Sequence, residues 1–345
     1  MNYLAIWGIY FISSFKEVFM KKSSTRIFIL LLFSIITVFT GIRYYMGTDY
    51  HNYYLLFDTI TDPKLNPDYE IGFLYIVASL KKIGLGPFEI FFFISMISFY
   101  FLKKGIDKNS KSTAMSLLIY FSIFMIPFNF NAVGQGIVVS IFIYSIGMMK
   151  RRETKKIILT TLIAYLIHTS GIMIFFSYLV YRIRMSMRQL LFISIISTSF
   201  IVLRSFILGF LVRILPTFIS SRLLSYTTLF NEPVGIVSIA QRVLILGIIF
   251  LFAYNKLDEN NRSLLQIYVC GFFLYMLFSG NHLFATRINL GFRVLEILLL
   301  PNIIFQMHKK ENRLILILII ALLSIFVLVS NFSNPNVYPY KHIWG

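Results

Sequence analysis

Long apolar runs joined by short basic loops recur from one end of the chain to the other, and this pattern sets most of what it can fold into. A helix that crosses a bilayer needs about 20 mostly apolar residues. Such runs lie near 2–15, 26–42, 87–102, 113–129, 132–149, 189–205, 234–253, 262–279, 283–303 and 312–330, which predicts about ten spanning helices. Of the 345 residues, 58% are hydrophobic and 13% charged, whereas a soluble domain carries roughly 25% charged residues. A water-soluble fold cannot hide that much apolar surface, so lipid is the expected solvent. No polar stretch is long enough to build a second core. The expected fold is therefore a single all-α polytopic membrane domain over residues 1–345.

The stretch 157–181 contains a polar break, His168-Thr169-Ser170-Gly171, and fits either one long span or a helical hairpin. Charge favours the hairpin. The runs Lys16–Arg26, Lys103–Lys111, Lys150–Lys156, Arg182–Arg188, Lys256–Arg262 and Lys309–Arg313 hold 21 of the 32 Lys and Arg residues, and all six fall on one side if 157–181 goes in and comes back. That side then carries a net +15 of the chain's +18. By the positive-inside rule it is the cytoplasmic side, which leaves both termini extracytoplasmic. An interfacial helix near 70–85 accounts for Lys81 and Lys82, which this scheme leaves outside. The basic residues form no contiguous face for a duplex, so nucleic acid is not an expected partner. A single cysteine, Cys270, gives no disulfide framework and no Cys-based metal site.

Three longer segments fall on the outer side: 43–86, 206–233 and the tail 331–345. The first opens with Arg43, Asp49, His51 and five tyrosines within 43–54. Tyrosine gathers at membrane interfaces in any case. The same residues also suit carbohydrate, with flat rings against sugar C–H surfaces, Asp and Asn bonding hydroxyls, and the Arg43 fork suited to phosphate oxygens. Glu70 stands just before an apolar helix, either as a first-turn acid favoured by the helix dipole or as a carboxylate serving a site. Asn129 to Gly136 forms a Gly- and amide-rich turn between two spans. His168 lies at the hairpin break, and a polar break at membrane depth is tolerated only where it is buried or lines a cavity. No second His or carboxylate stands at metal-ligand spacing, so no protein-held metal is expected.

Arg242, Arg287 and Arg293 fall in or at the ends of apolar runs, where a charge costs roughly 2.5–3.5 kcal/mol on insertion scales and needs a partner. Arg293 and Glu296, three apart, are expected to satisfy each other on one helix face. Arg242 and Arg287 have no acid in reach along their own helices. Three guanidiniums (Arg43, Arg242 and Arg287) converging on one cavity would hold a pyrophosphate.

Five features in this order resemble the EpsG family within the wider Wzy-type polysaccharide polymerases. They are Gly41-Ile42-Arg43 followed by Gly47-Thr48-Asp49-Tyr50; Glu70-Ile71-Gly72-Phe73; Asn131 to Gly136; Ala164 to His168 with Ser170; and Arg287 with Gly291-Phe292 ahead of Pro301. The resemblance runs from about 1 to 310. One departure stands out: the family usually has Arg-Gln where this chain has Gly134-Gln135. The resemblance implies an enzyme without a cofactor, in the bacterial cytoplasmic membrane, that polymerises O-antigen, capsule or exopolysaccharide. Its substrates would be oligosaccharide repeat units on undecaprenyl pyrophosphate, joined at the extracytoplasmic face. A flippase and a chain-length regulator are its candidate partners.

On that reading Arg43, Arg242 and Arg287 bind pyrophosphate, and Tyr50, Tyr53, Asn131 and Gln135 contact sugar. Asp49, Glu70 and His168 are the available bases, with His168 favoured. Two other classes fit some of the same residues. A lipid-linked oligosaccharide flippase would also line a cavity with arginine. A membrane O-acyltransferase would turn its histidine toward a cytoplasmic acyl donor, which the expected topology opposes.

Overall fold

The computed structural model describes residues 2–20, 25–66, 68–217, 220–221, 224, 232–254 and 257–344. Lys21 and Lys22 of the first basic run, Lys256, and most of 218–231 in the second outer segment lie outside the described residues. The described chain is all-helical, 80% helix with no strands. In chain order the first helices are α1 (Tyr3–Phe19), α2 (Arg26–Gly41), α3 (Tyr50–Thr59), α4 (Ile71–Lys82), α5 (Pro87–Asn109), α6 (Thr113–Ile119), α7 (Val133–Lys150), α8 (Thr154–Ile167) and α9 (Ile172–Arg182). They are followed by α10 (Met187–Ile214), α11 (Ile236–Ala253), α12 (Glu259–Leu277), α13 (His282–Arg293), α14 (Glu296–Gln306) and α15 (Lys310–Ser330). The chain packs as two compact units, one of residues 1–178 with 296–345 and one of 179–295.

Among the described residues, four helices are long and apolar enough to cross a membrane: α7, the first part of α10, α11, and α15 with the turn after it. The count of about ten is not confirmed. Several apolar runs are divided into shorter helices. After α6 the backbone continues as two π-helical stretches, Tyr120–Phe124 and Ile126–Asn131, with Pro127 in the second. The run 283–303 is broken at Val294 and Leu295, between α13 and α14. Arg293 and Glu296 therefore do not share one continuous helix face, as the sequence suggested they would.

The first unit is built on α5 and α7. A Cβ on Gly105 would lie 2.7 Å from the backbone of Ile143, so the two helices meet backbone to backbone. Helix α7 is apolar nearly all round and buried along most of its length, as a central helix should be. A chain of buried polar groups crosses this contact. Tyr120 donates to Asn129 (2.8 Å), the Asn129 amide donates to Ser98 (3.4 Å), and Ser98 and Ser140 share a hydrogen bond (3.0 Å).

Charge is segregated along this unit. Glu17 at the end of α1 accepts from Ser112 Oγ (2.5 Å) and the Ala114 amide (3.1 Å). Asn302 of α14 accepts from the Lys111 amide (2.9 Å) and donates to the Asn109 carbonyl (2.9 Å). The basic ends of α1 and α5, which carry Lys16 and Lys108, are thus tied to the start of α6 and to α14. The other end of α5 lies about 33 Å away at 1.5 Å per residue, close to a bilayer core. There Phe88 meets Tyr44 and Tyr54.

Helices α8 and α9 form the hairpin that the charge pattern favoured. Thr154 at the start of α8 hydrogen-bonds the Tyr178 hydroxyl, so the chain returns to the side it left. At the tip a Cβ on Gly171 would lie 2.4 Å from the backbone of α8. Helix α4 covers the predicted 70–85 helix and packs against α8. A Cβ on Gly72 would sit 2.6 Å from the Leu166 carbonyl oxygen.

In the second unit, α12 and α13 approach closely at Gly271, where a Cβ would overlap the Phe292 side chain. Gln266 of α12 ties the turn between α9 and α10 by donating to the Val180 and Ile183 carbonyls and accepting from the Met185 amide.

Candidate active site

Gly41 ends α2 against the Phe92 backbone of α5, and the chain then enters a loop with no regular structure of its own. Arg43 is buried at 1% exposure, not displayed at the surface as the sequence suggested. Its Nη1 donates to the Thr40 carbonyl (2.6 Å) and its Nε to the Met46 carbonyl (3.3 Å). The guanidinium lies over Phe91 (4.6 Å), Phe130 (5.3 Å) and Tyr50 (5.6 Å). Its Nη2 and the Tyr50 hydroxyl have no hydrogen-bond partner among the described residues. Burial pushes Arg43 down to about 10, partly offset by the tyrosines around it.

Tyr50 is likewise 1% exposed, its ring stacked on Phe91 at 4.6 Å. It belongs to the core beneath the loop and does not present a face to sugar. The exposed rings here are Tyr44 and Tyr45 (39% and 43%), which sequence analysis had not singled out.

The loop turns sharply at Gly47, whose φ of +102° suits glycine. A Cβ there would be 2.4 Å from the Phe130 carbonyl oxygen. Asn131 fixes the next residue by accepting from the Thr48 amide (3.0 Å), and Thr48 Oγ1 donates to Asp49 Oδ1 (3.1 Å). Asn131 is thus occupied in holding the loop. Gln135, one turn further on, is buried in α7.

The loop delivers α3, and with it Tyr53. Burial raises the Tyr53 phenol, and the charges of Asp49, Tyr69 and Glu70 raise it further. Glu70, before α4, accepts from the Thr169 amide through Oε1 (2.8 Å), and the same oxygen lies 4.0 Å from His168 Nε2. The other ring nitrogen, Nδ1, accepts from the Ser170 amide (3.1 Å) and lies 2.8 Å from Ser170 Oγ. In a neutral ring this puts the proton on Nε2, facing the carboxylate. Both side chains are partly open, 30% exposed for His168 and 27% for Glu70. The edge of the His168 ring faces Gly134. Glu70 and His168 therefore come together before α4 and at the hairpin tip, beside the start of α7, while Tyr53 packs on Tyr69 and Phe73.

The other two arginines belong to the second unit. Arg242 is buried in α11, with Nε donating to Asn289 (2.8 Å), Nη1 to the Ser238 carbonyl (2.7 Å), and its guanidinium 4.0 Å over the Tyr275 ring. Asn289 in turn donates to the Gly271 carbonyl (3.1 Å). Arg287 is exposed on α13. Asn289 and Ser170 went unmarked as partners because their effect depends on residues far away or on backbone groups.

An all-helical chain with helices long and apolar enough to cross a membrane is compatible with the class of polytopic membrane proteins. The EpsG family model matches residues 26–342, and the chain belongs to that family. It is a family of Wzy-type, exopolysaccharide polymerase-like proteins, so this is an integral membrane protein with a polysaccharide polymerase-like role. The match starts at α2 and reaches into the tail, beyond the boundary near 310 drawn from the motifs alone. No curated protein and no solved structure matches the chain.

Proposed function

We propose that this protein joins saccharide repeat units carried on undecaprenyl pyrophosphate at the extracytoplasmic face of the bacterial cytoplasmic membrane. The observation that carries this reading is the pairing of Glu70 with His168. A hydroxyl of the acceptor unit attacks the anomeric carbon of the growing chain. The bond from that carbon to the phosphate oxygen breaks, and undecaprenyl pyrophosphate leaves. The acceptor's proton needs a base, and the geometry favours Glu70: the Thr169 amide anchors its Oε1, and His168 stands ready to share the charge. His168 acts through the carboxylate, since Ser170 occupies its Nδ1.

Guanidinium groups suit the charge that develops on the leaving pyrophosphate. In the second unit, taken by itself, Arg287, exposed on α13, and Arg242, buried in α11, are kept as proposed pyrophosphate contacts. Arg43, buried under the loop with Nη2 unpartnered, acts from beneath. Tyr53, Asn131 and Gln135 are the proposed sugar contacts. A flippase and a chain-length regulator are the proposed partners.

The test replaces Glu70 by Gln, His168 by Ala and Arg287 by Ala, one at a time, in cells lacking their own polymerase. Each variant should insert normally, lose long-chain polysaccharide and accumulate single lipid-linked units at the outer face. Full-length polymer from all three would overturn the site assignment, and accumulation at the inner face would overturn the polymerase reading.

A further inference from the structure

We infer that the C-terminal segment 334–343 is a working part of the site and that Tyr340 is a positioning residue, acting through Arg43 and the loop that carries Asp49. The inference rests on the polymerase reading above. Two main-chain donors and one carbonyl of the loop 42–49 are taken by the tail. The Tyr44 amide donates to the Lys341 carbonyl (3.0 Å), the Ile343 amide to the Ile42 carbonyl (3.0 Å), and the Gly47 amide to the Asn336 carbonyl (2.7 Å). Arg43 and His342 are thereby paired as an antiparallel bridge.

Side chains pin the same segment from the other side. The Tyr340 ring stacks on Phe39 (4.1 Å between centroids, 17° between planes), and its hydroxyl donates to the Phe39 carbonyl (2.6 Å). Tyr3 of α1 donates its hydroxyl to the Val337 carbonyl (2.7 Å). The anchors on Ile42, Tyr44 and Gly47 bracket Arg43. Gly47, with its positive φ and no room for a Cβ, then sets Thr48, Asp49 and the start of α3. Buried main-chain donors are almost always paired, so removing the tail leaves three positions of the loop seeking new partners. Tyr53 and Asp49 would move with them.

The experiment uses full-length protein with Cys270→Ser and a reporter Asn52→Cys on the exposed side of α3, alkylated by a membrane-impermeant maleimide. Into it go a stop after Ser333, Tyr340→Ala, or Tyr340→Phe. Truncation and Y340A should raise the alkylation rate. They should also lower long-chain polymer on the order of 10²-fold, the effect of roughly 1 Å of misplacement at a reacting group. Y340F keeps the stacked ring and should recover most of both, at unchanged melting temperature. The inference is overturned if Y340A alkylates and polymerises like its parent, or if Y340F is no better than Y340A. Should truncation prevent insertion, the two Tyr340 variants decide alone. If cells with the unaltered protein accumulate single lipid-linked units at the inner face, the polymerase reading fails, while the alkylation rates still report whether the tail holds the loop.

Discussion

Glycines around the site separate into two kinds. Gly47, Gly72, Gly136 and Gly171 each have a backbone atom within 2.4–2.6 Å of where a Cβ would be. Gly134 does not: its nearest neighbours, the Ile167 carbonyl and Phe73, are at 3.6 Å, with His168 at 3.9 Å. Gly134→Ala should therefore stabilise the protein by up to about 1 kcal/mol, through helix propensity. Gly72→Ala should destabilise it by about 1–3 kcal/mol by overpacking α4 on α8. Thermal melts of the purified proteins in one detergent would show the opposite signs. The family's usual arginine at Gly134 would begin its side chain beside His168, so this departure falls inside the site. Arg43, Asp49, Glu70 and His168 were legible in the sequence because charged or titratable groups are rare among apolar runs. Their partners were not, since the Thr169 and Ser170 amides belong to a backbone that every residue shares.

The helical hairpin is the element most clearly written in the sequence. A polar tetrapeptide in an apolar run, with basic residues at both ends, leaves few ways to thread a membrane. The break at Val294 and Leu295 was invisible, because two apolar residues without Gly or Pro look like continuing helix. Partner choice between helices was equally hidden. Arg242 lacks an acid on its own helix, yet Asn289 on α13 accepts from its Nε. Asn289→Ala should lower stability by about 1–3 kcal/mol by leaving that buried donor without its acceptor. Denaturation in detergent would measure it; Asn289→Asp, which keeps an acceptor oxygen, should recover part of the loss.

At the scale of the molecule, the charge pattern predicts sidedness. In a Cys270→Ser background, Asn52→Cys should label from outside and Lys155→Cys only after the membrane is permeabilised. Labelling of both from the same side would refute the topology. Hydrophobic length and loop charge are sums over neighbouring residues, and the sequence therefore determined by itself a helical membrane chain, its asymmetric charge and its hairpin. Only the tertiary structure decided that Arg43 is buried, that Tyr50 faces inward, and that the tail pairs with the loop beside α2. The first two depend on Phe91 and Phe130, and the last on contacts between segments far apart in sequence, as Tyr3 with Val337 and Arg43 with His342 show. Such contacts form from backbone groups and ring faces whose partners no local pattern names.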